Sequence, residues 1–144
     1  MARSRRLPAR PLGALERMRL ATEIVAAYIH ARRELRRAPI ASAVAALRVE
    51  APLPPPTSGA GATLDEARRL GRAVARTLRM VPGDTRCLAR SLVLTRLLAK
   101  RGIPAKLVIG ARAAPSFLAH AWVEYEGQPV LSHGDGSFGR LVEL

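Results

Sequence analysis

Cysteine, lysine, aromatic and acidic residues are all scarce in this 144-residue chain, and each shortage excludes something. A single cysteine, Cys87, cannot form an intramolecular disulfide or supply a multi-cysteine zinc site. Five aromatics (Tyr28, Phe117, Trp122, Tyr125 and Phe138) are too few and too scattered for a base-stacking platform. Eleven acidic residues against 24 basic ones leave a net charge of +13. Only two of the basic residues are lysine. That arginine bias reads first as coding bias, then as a groove for an acidic peptide or partner, and last as nucleic-acid binding. No run is long and apolar enough to span a membrane, and the basic N-terminus lacks the apolar core of a secretory signal. A cytoplasmic protein with a reduced thiol is the expectation.

What is present suits one domain, since 49% of the residues are hydrophobic. Its basic charge is confined to the first three quarters: +7 over residues 1–50, +8 over 51–110 and −2 over 111–144. Residues 1–13 read as a loose basic arm. Leu15, Met18, Ala21, Val25, Tyr28 and Ile29 recur at helical steps, predicting a helix over 14–37 that ends before Pro39, with a shorter one near 40–48. These form a basic N-terminal helical segment, residues 1–50. Residues 51–62, rich in proline and glycine, read as a linker to the remaining segment, 63–144. Thr63-Leu-Asp-Glu66 has the form of a capping box that opens a helix over 64–79. Asp84 or Thr85 is then expected to cap a central, apolar helix over 86–101, which Gly102 and Pro104 end. Strands follow at 105–111 and 117–125, with a hairpin turn at Glu126-Gly127 into 128–132. Helices first and antiparallel strands after give an α+β fold.

Cys87 falls in the first turn of the central helix, where unpaired amides and the helix dipole favour a thiolate. His120 lies in the alternating strand Phe117–Tyr125. A helix-start cysteine and a strand histidine together make a nucleophile–base pair, provided that they meet in space. A third group should orient the imidazole. Continued pairing across the Glu126-Gly127 hairpin sets His133 opposite His120 and Asp135 diagonal to it, about 7 Å away between backbone positions. Glu124 shares the face but is about 13 Å along the strand, too far. Asp135 is the preferred third member, with His133 and Ser132 as alternatives. No residue pattern calls for a cofactor or a metal.

Two blocks, Arg86-Cys-Leu-Ala-Arg-Ser-Leu-Val-Leu-Thr-Arg-Leu-Leu-Ala-Lys-Arg-Gly-Ile-Pro-Ala-Lys-Leu-Val-Ile-Gly110 and Ala119-His-Ala-Trp-Val-Glu-Tyr-Glu-Gly127, together resemble the lasso-peptide leader peptidases. Those are the transglutaminase-like halves of a split maturation protein called B. The resemblance covers about residues 80–131 and implies a papain/transglutaminase-like α+β fold with its cysteine peptidase core in 63–144. It assigns Cys87 as nucleophile and His120 as base. In the family the acidic third member stands about where Ser132 stands here, and Asp135 is the substitute. The implied activity is a cofactor-free endopeptidase that removes the leader of a ribosomally made precursor peptide before a separate lactam synthetase closes the ring. A separate leader-recognition protein is expected to act in trans. Acyl transfer to an amine and a non-catalytic peptide-binding scaffold are the alternatives.

Overall fold

In the computed structural model, which describes residues 12–48, 59–83, 86–131 and 135–144, proline and glycine set the helix boundaries. Helix α1 (Ala14–Arg37) stops where Pro39 forces Ala38 into an extended conformation, and α2 (Ile40–Arg48) starts at once on the other side. Helix α4 (Cys87–Lys100) closes on Gly102, whose φ of +68° lets the Gly102 and Ile103 amides return to the carbonyls of Ala99 and Leu98.

Helix α3 (Ala60–Leu78) departs from expectation. It starts at Ala60 with Gly59 as its cap, so the expected capping box lies inside the helix. Thr63 is buried and donates its hydroxyl to the Gly59 carbonyl at 3.4 Å. The reason is register: Thr63 continues the buried stripe of Ala67, Leu70, Val74 and Leu78, so extending the helix buries one more side chain. Residues 60–62 of the expected linker are therefore helical, while 51–58 lie outside the described residues, as do 1–11 of the basic arm.

Eight consecutive residues of α4, Ser91 to Leu98, are buried. Helices α1, α2 and α3 pack around it on one side and the sheet covers it on the other. That sheet is antiparallel with strand order β3-β2-β1-β4, comprising β1 (Lys106–Arg112), β2 (Leu118–Tyr125), β3 (Gln128–Pro129) and β4 (Gly139–Glu143). Its two faces differ. Leu107, Ile109, Ala121, Val123 and Tyr125 join the core around α4. Alternation then turns Val108, Gly110, His120, Trp122 and Glu124 to the other face. Arg48 ties α2 to the sheet, donating to the carbonyls of Ala105 and Leu144 at 2.8 and 2.7 Å. No described helix is long and apolar enough to cross a membrane.

The hairpin turn forms where expected. Glu126 and Gly127 both have positive φ, and Tyr125 pairs with Gln128. The strand beyond it does not continue to residue 132. Pro129 has no amide to donate, the last cross-strand bond runs from Val130 to Val123, and the chain then crosses to the opposite edge to form β4 beside β1.

Candidate active site

Cys87 is the first residue of α4, half-buried at the border of the core. Its helix is capped by the extended backbone of Arg86 with no side-chain cap; Asp84 and Thr85, the expected caps, lie outside the described residues. The unpaired amides at this terminus form a small positive pole beside the thiol.

His120 lies on β2, which pairs with β1, the strand that follows α4 directly. Helix α4 is about 21 Å long and β1 about 23 Å, and the two are joined through the turn at Gly102. Arg112 pairs with Leu118, and Gly110 pairs with His120. The imidazole is on the face turned away from the core that Cys87 borders. There it stacks on Trp122 with centroids 6.0 Å apart and meets Phe138 at 5.2 Å. Cys87 forms no disulfide, and the imidazole belongs to the sheet face on the far side from that core. Catalytic hydrogen bonds are often formed only when substrate is bound.

A rigid layer lies beneath the histidine. Trp122, 4% exposed, donates its indole N–H to Glu124 at 2.8 Å, and Arg140 reaches the same carboxylate with two bonds of 3.0 and 3.1 Å. Glu124 thus anchors the indole and the Arg140 guanidinium. Gly110 closes the layer: a Cβ there would stand 2.9 Å from the Trp122 ring and 2.8 Å from the Gly139 carbonyl. Gly110→Ala should therefore displace Trp122 or β4 and cost about 1–3 kcal/mol, read as a lower midpoint in urea denaturation.

Asp135 does not stand where the extended hairpin would have put it. With β3 ending at Pro129, it sits in the turn before β4, exposed. Its carboxylate accepts from the hydroxyl and amide of Ser137 and from Arg112 at 3.3 Å. The Ser137 bonds, aided by Arg112, hold its pKa below the usual carboxylate range. Asp135 still reaches the histidine's corner by another route, because the Arg112 guanidinium also covers the Phe138 ring, 5.4 Å from its centroid. The alternatives His133 and Ser132 lie outside the described residues. Sequence reasoning missed Phe138, Arg112 and Arg140. The expected strand stopped at 111, short of Arg112; the β1–β2 register, with Gly110 opposite His120, puts Arg112 on that face, and the pairing of β4 with β1 reveals the other two. No group of three or more metal-ligating side chains occurs among the described residues.

The sequence profile described as the transglutaminase-like superfamily matches residues 25–143. Over 44 residues the chain is 50% identical to the microcin J25-processing protein McjB of Escherichia coli. That stretch is 31% of this chain and spans 21% of the relative's length. No solved structure matches. The profile extends from within α1 to β4 and takes in both Cys87 and His120; the chain belongs to the transglutaminase-like superfamily.

Proposed function

We propose that the protein is a cysteine endopeptidase that removes the leader from a ribosomally made lasso-peptide precursor. The observation that carries this reading is Cys87 as the first residue of the buried central helix, in a chain whose transglutaminase-like match takes in both Cys87 and His120. The identity shared with a microcin-processing protein supports the substrate class. The Cys87 thiolate attacks the scissile carbonyl, and the amide at the start of α4 donates to the oxyanion. His120 takes the thiol proton and returns it to the leaving amine, freeing the core peptide's N-terminus. Water then cleaves the thioester, releasing the leader as a carboxylic acid and restoring the thiol.

Asp135 is the third member in this reading, acting from the Arg112–Phe138 corner. A separate recognition protein holds the leader and raises its effective concentration at the cleft, and the lactam synthetase takes the freed core in the cytoplasm. A scaffold that binds the peptide without cutting it is the second reading, favoured by the imidazole lying on the sheet face turned away from the core that Cys87 borders.

The test is mass balance after incubation of the protein with precursor and recognition protein. Two fragments summing to precursor plus water indicate hydrolysis. A mass gain on an added amine indicates acyl transfer, and an intact precursor supports the scaffold. In the same assay Asp135→Asn should lower turnover by at least tenfold; unchanged turnover removes it from the mechanism and leaves His133 and Ser132.

A further inference from the structure

A groove of about 550 Å³ runs along the seam between α1 and α3, away from the thiol chemistry. Its volume is in the range of ligand-binding clefts. Leu20 and Val25 of α1 and Ala73 of α3 line its floor, and Val81 and Met80 close one end, with Met80 86% exposed. Four exposed arginines, Arg17, Arg69, Arg72 and Arg76, line its rim. None of the four forms an ion pair among the described residues. By contrast, the adjoining hollow on the same seam holds Glu16, Glu23 and Glu66, and Glu23 is locked to Arg101 by bonds of 3.2 and 2.8 Å. Arg69 lines both, and with Arg19 and Arg101 it balances the three glutamates of the hollow; Arg17, Arg72 and Arg76 leave unmatched positive charge around the apolar floor of the groove.

We propose that this groove docks an acidic amphipathic segment of a partner peptide, with apolar side chains on the floor and carboxylates on the arginine rim. Charge complementarity selects this occupant. The chain's own N-terminal residues carry Arg3, Arg5, Arg6 and Arg10 and would meet a rim of like charge, as would a second copy at +13. A nucleic acid would bring phosphates to an apolar floor that offers no aromatic ring for stacking. A lipid surface engages a protruding apolar face, whereas here Met80 alone of the apolar lining is exposed and Leu20, Val25 and Ala73 are part-buried between the arginines. The groove also has a simple relation to Cys87. Val81 precedes the thiol by six residues, a span of at most about 22 Å, so a segment held here keeps its continuation near the start of α4. The docking itself requires no chemistry at Cys87.

The experiment is fluorescence anisotropy in 0.15 M salt with a fluorescein-labelled 16-residue peptide carrying leucine at helical spacing and glutamate elsewhere. Saturable binding is expected, weakened roughly tenfold or more by Arg72→Glu with Arg76→Glu. The control pair Arg33→Glu with Arg37→Glu makes the same change in net charge on an exposed part of α1 outside the groove and should weaken binding less than twofold. A peptide with lysine in place of glutamate should fail to bind the wild type. Equal weakening by both double variants reduces the effect to bulk charge and overturns the proposal, as does the absence of saturable binding. Capture of the protein by phosphatidylglycerol vesicles with the same rim sensitivity, and without peptide binding, assigns the groove to a lipid surface and overturns it too.

Discussion

Replacing Cys87 with alanine should abolish precursor cleavage, a loss of about 10⁴-fold or more, while the domain stays folded. The residue is half-buried at the start of α4, outside the buried run from Ser91 to Leu98. Losing one sulfur there removes little packing, so the melting temperature should shift by only a few degrees. The chain has no other thiol to substitute, which makes the variant a clean deletion of the nucleophile. Cys87→Ser should be almost as inactive, because a hydroxyl is a far weaker nucleophile than a thiolate at the same position. Turnover preserved in either variant would end the peptidase reading while leaving the fold and the family unaffected.

His120→Ala should lower turnover by about 10²–10⁴-fold, the usual contribution of a general base. The side chain is only partly buried, and its ring packs between Trp122 and Phe138 on a layer fixed by Glu124 and Arg140. Its removal leaves that layer in place, so stability should fall far less than activity. The pH dependence distinguishes a base from a packing residue. The rising limb of the wild-type kcat/KM profile against pH should be missing from His120→Ala. Retention of the limb would assign the proton transfer to another group.

The parts of this architecture that were legible beforehand are those where one local rule acts alone. Pro39 separates α1 from α2 because no helix passes the residue before a proline easily. Helix α4 was legible because its apolar residues cover its circumference, and the hairpin because Glu126-Gly127 suits a turn with two positive φ angles. What stayed hidden depended on competition between distant parts. The start of α3 was misjudged because Thr63 is a good cap and also continues a buried stripe, and burial prevailed. Strand β4 carries no alternating pattern, since all five of its residues are exposed and its pairing with β1 is interrupted between Ile109 and Gly110. The location of Asp135 followed from that strand, so extrapolating β3 past Pro129 put it on the wrong neighbour. The histidine's strand was identified correctly, but alternation alone did not say which face α4 would cover.

The most direct measurement is intact-mass analysis of the protein, acid-quenched during turnover of precursor in the presence of the recognition protein. A covalent adduct equal to the leader minus one water, mapped by digestion to the peptide containing Cys87 and lost on treatment with hydroxylamine, is the expected result. Complete cleavage with no adduct at any quench time, and equally complete cleavage by Cys87→Ala, would contradict it.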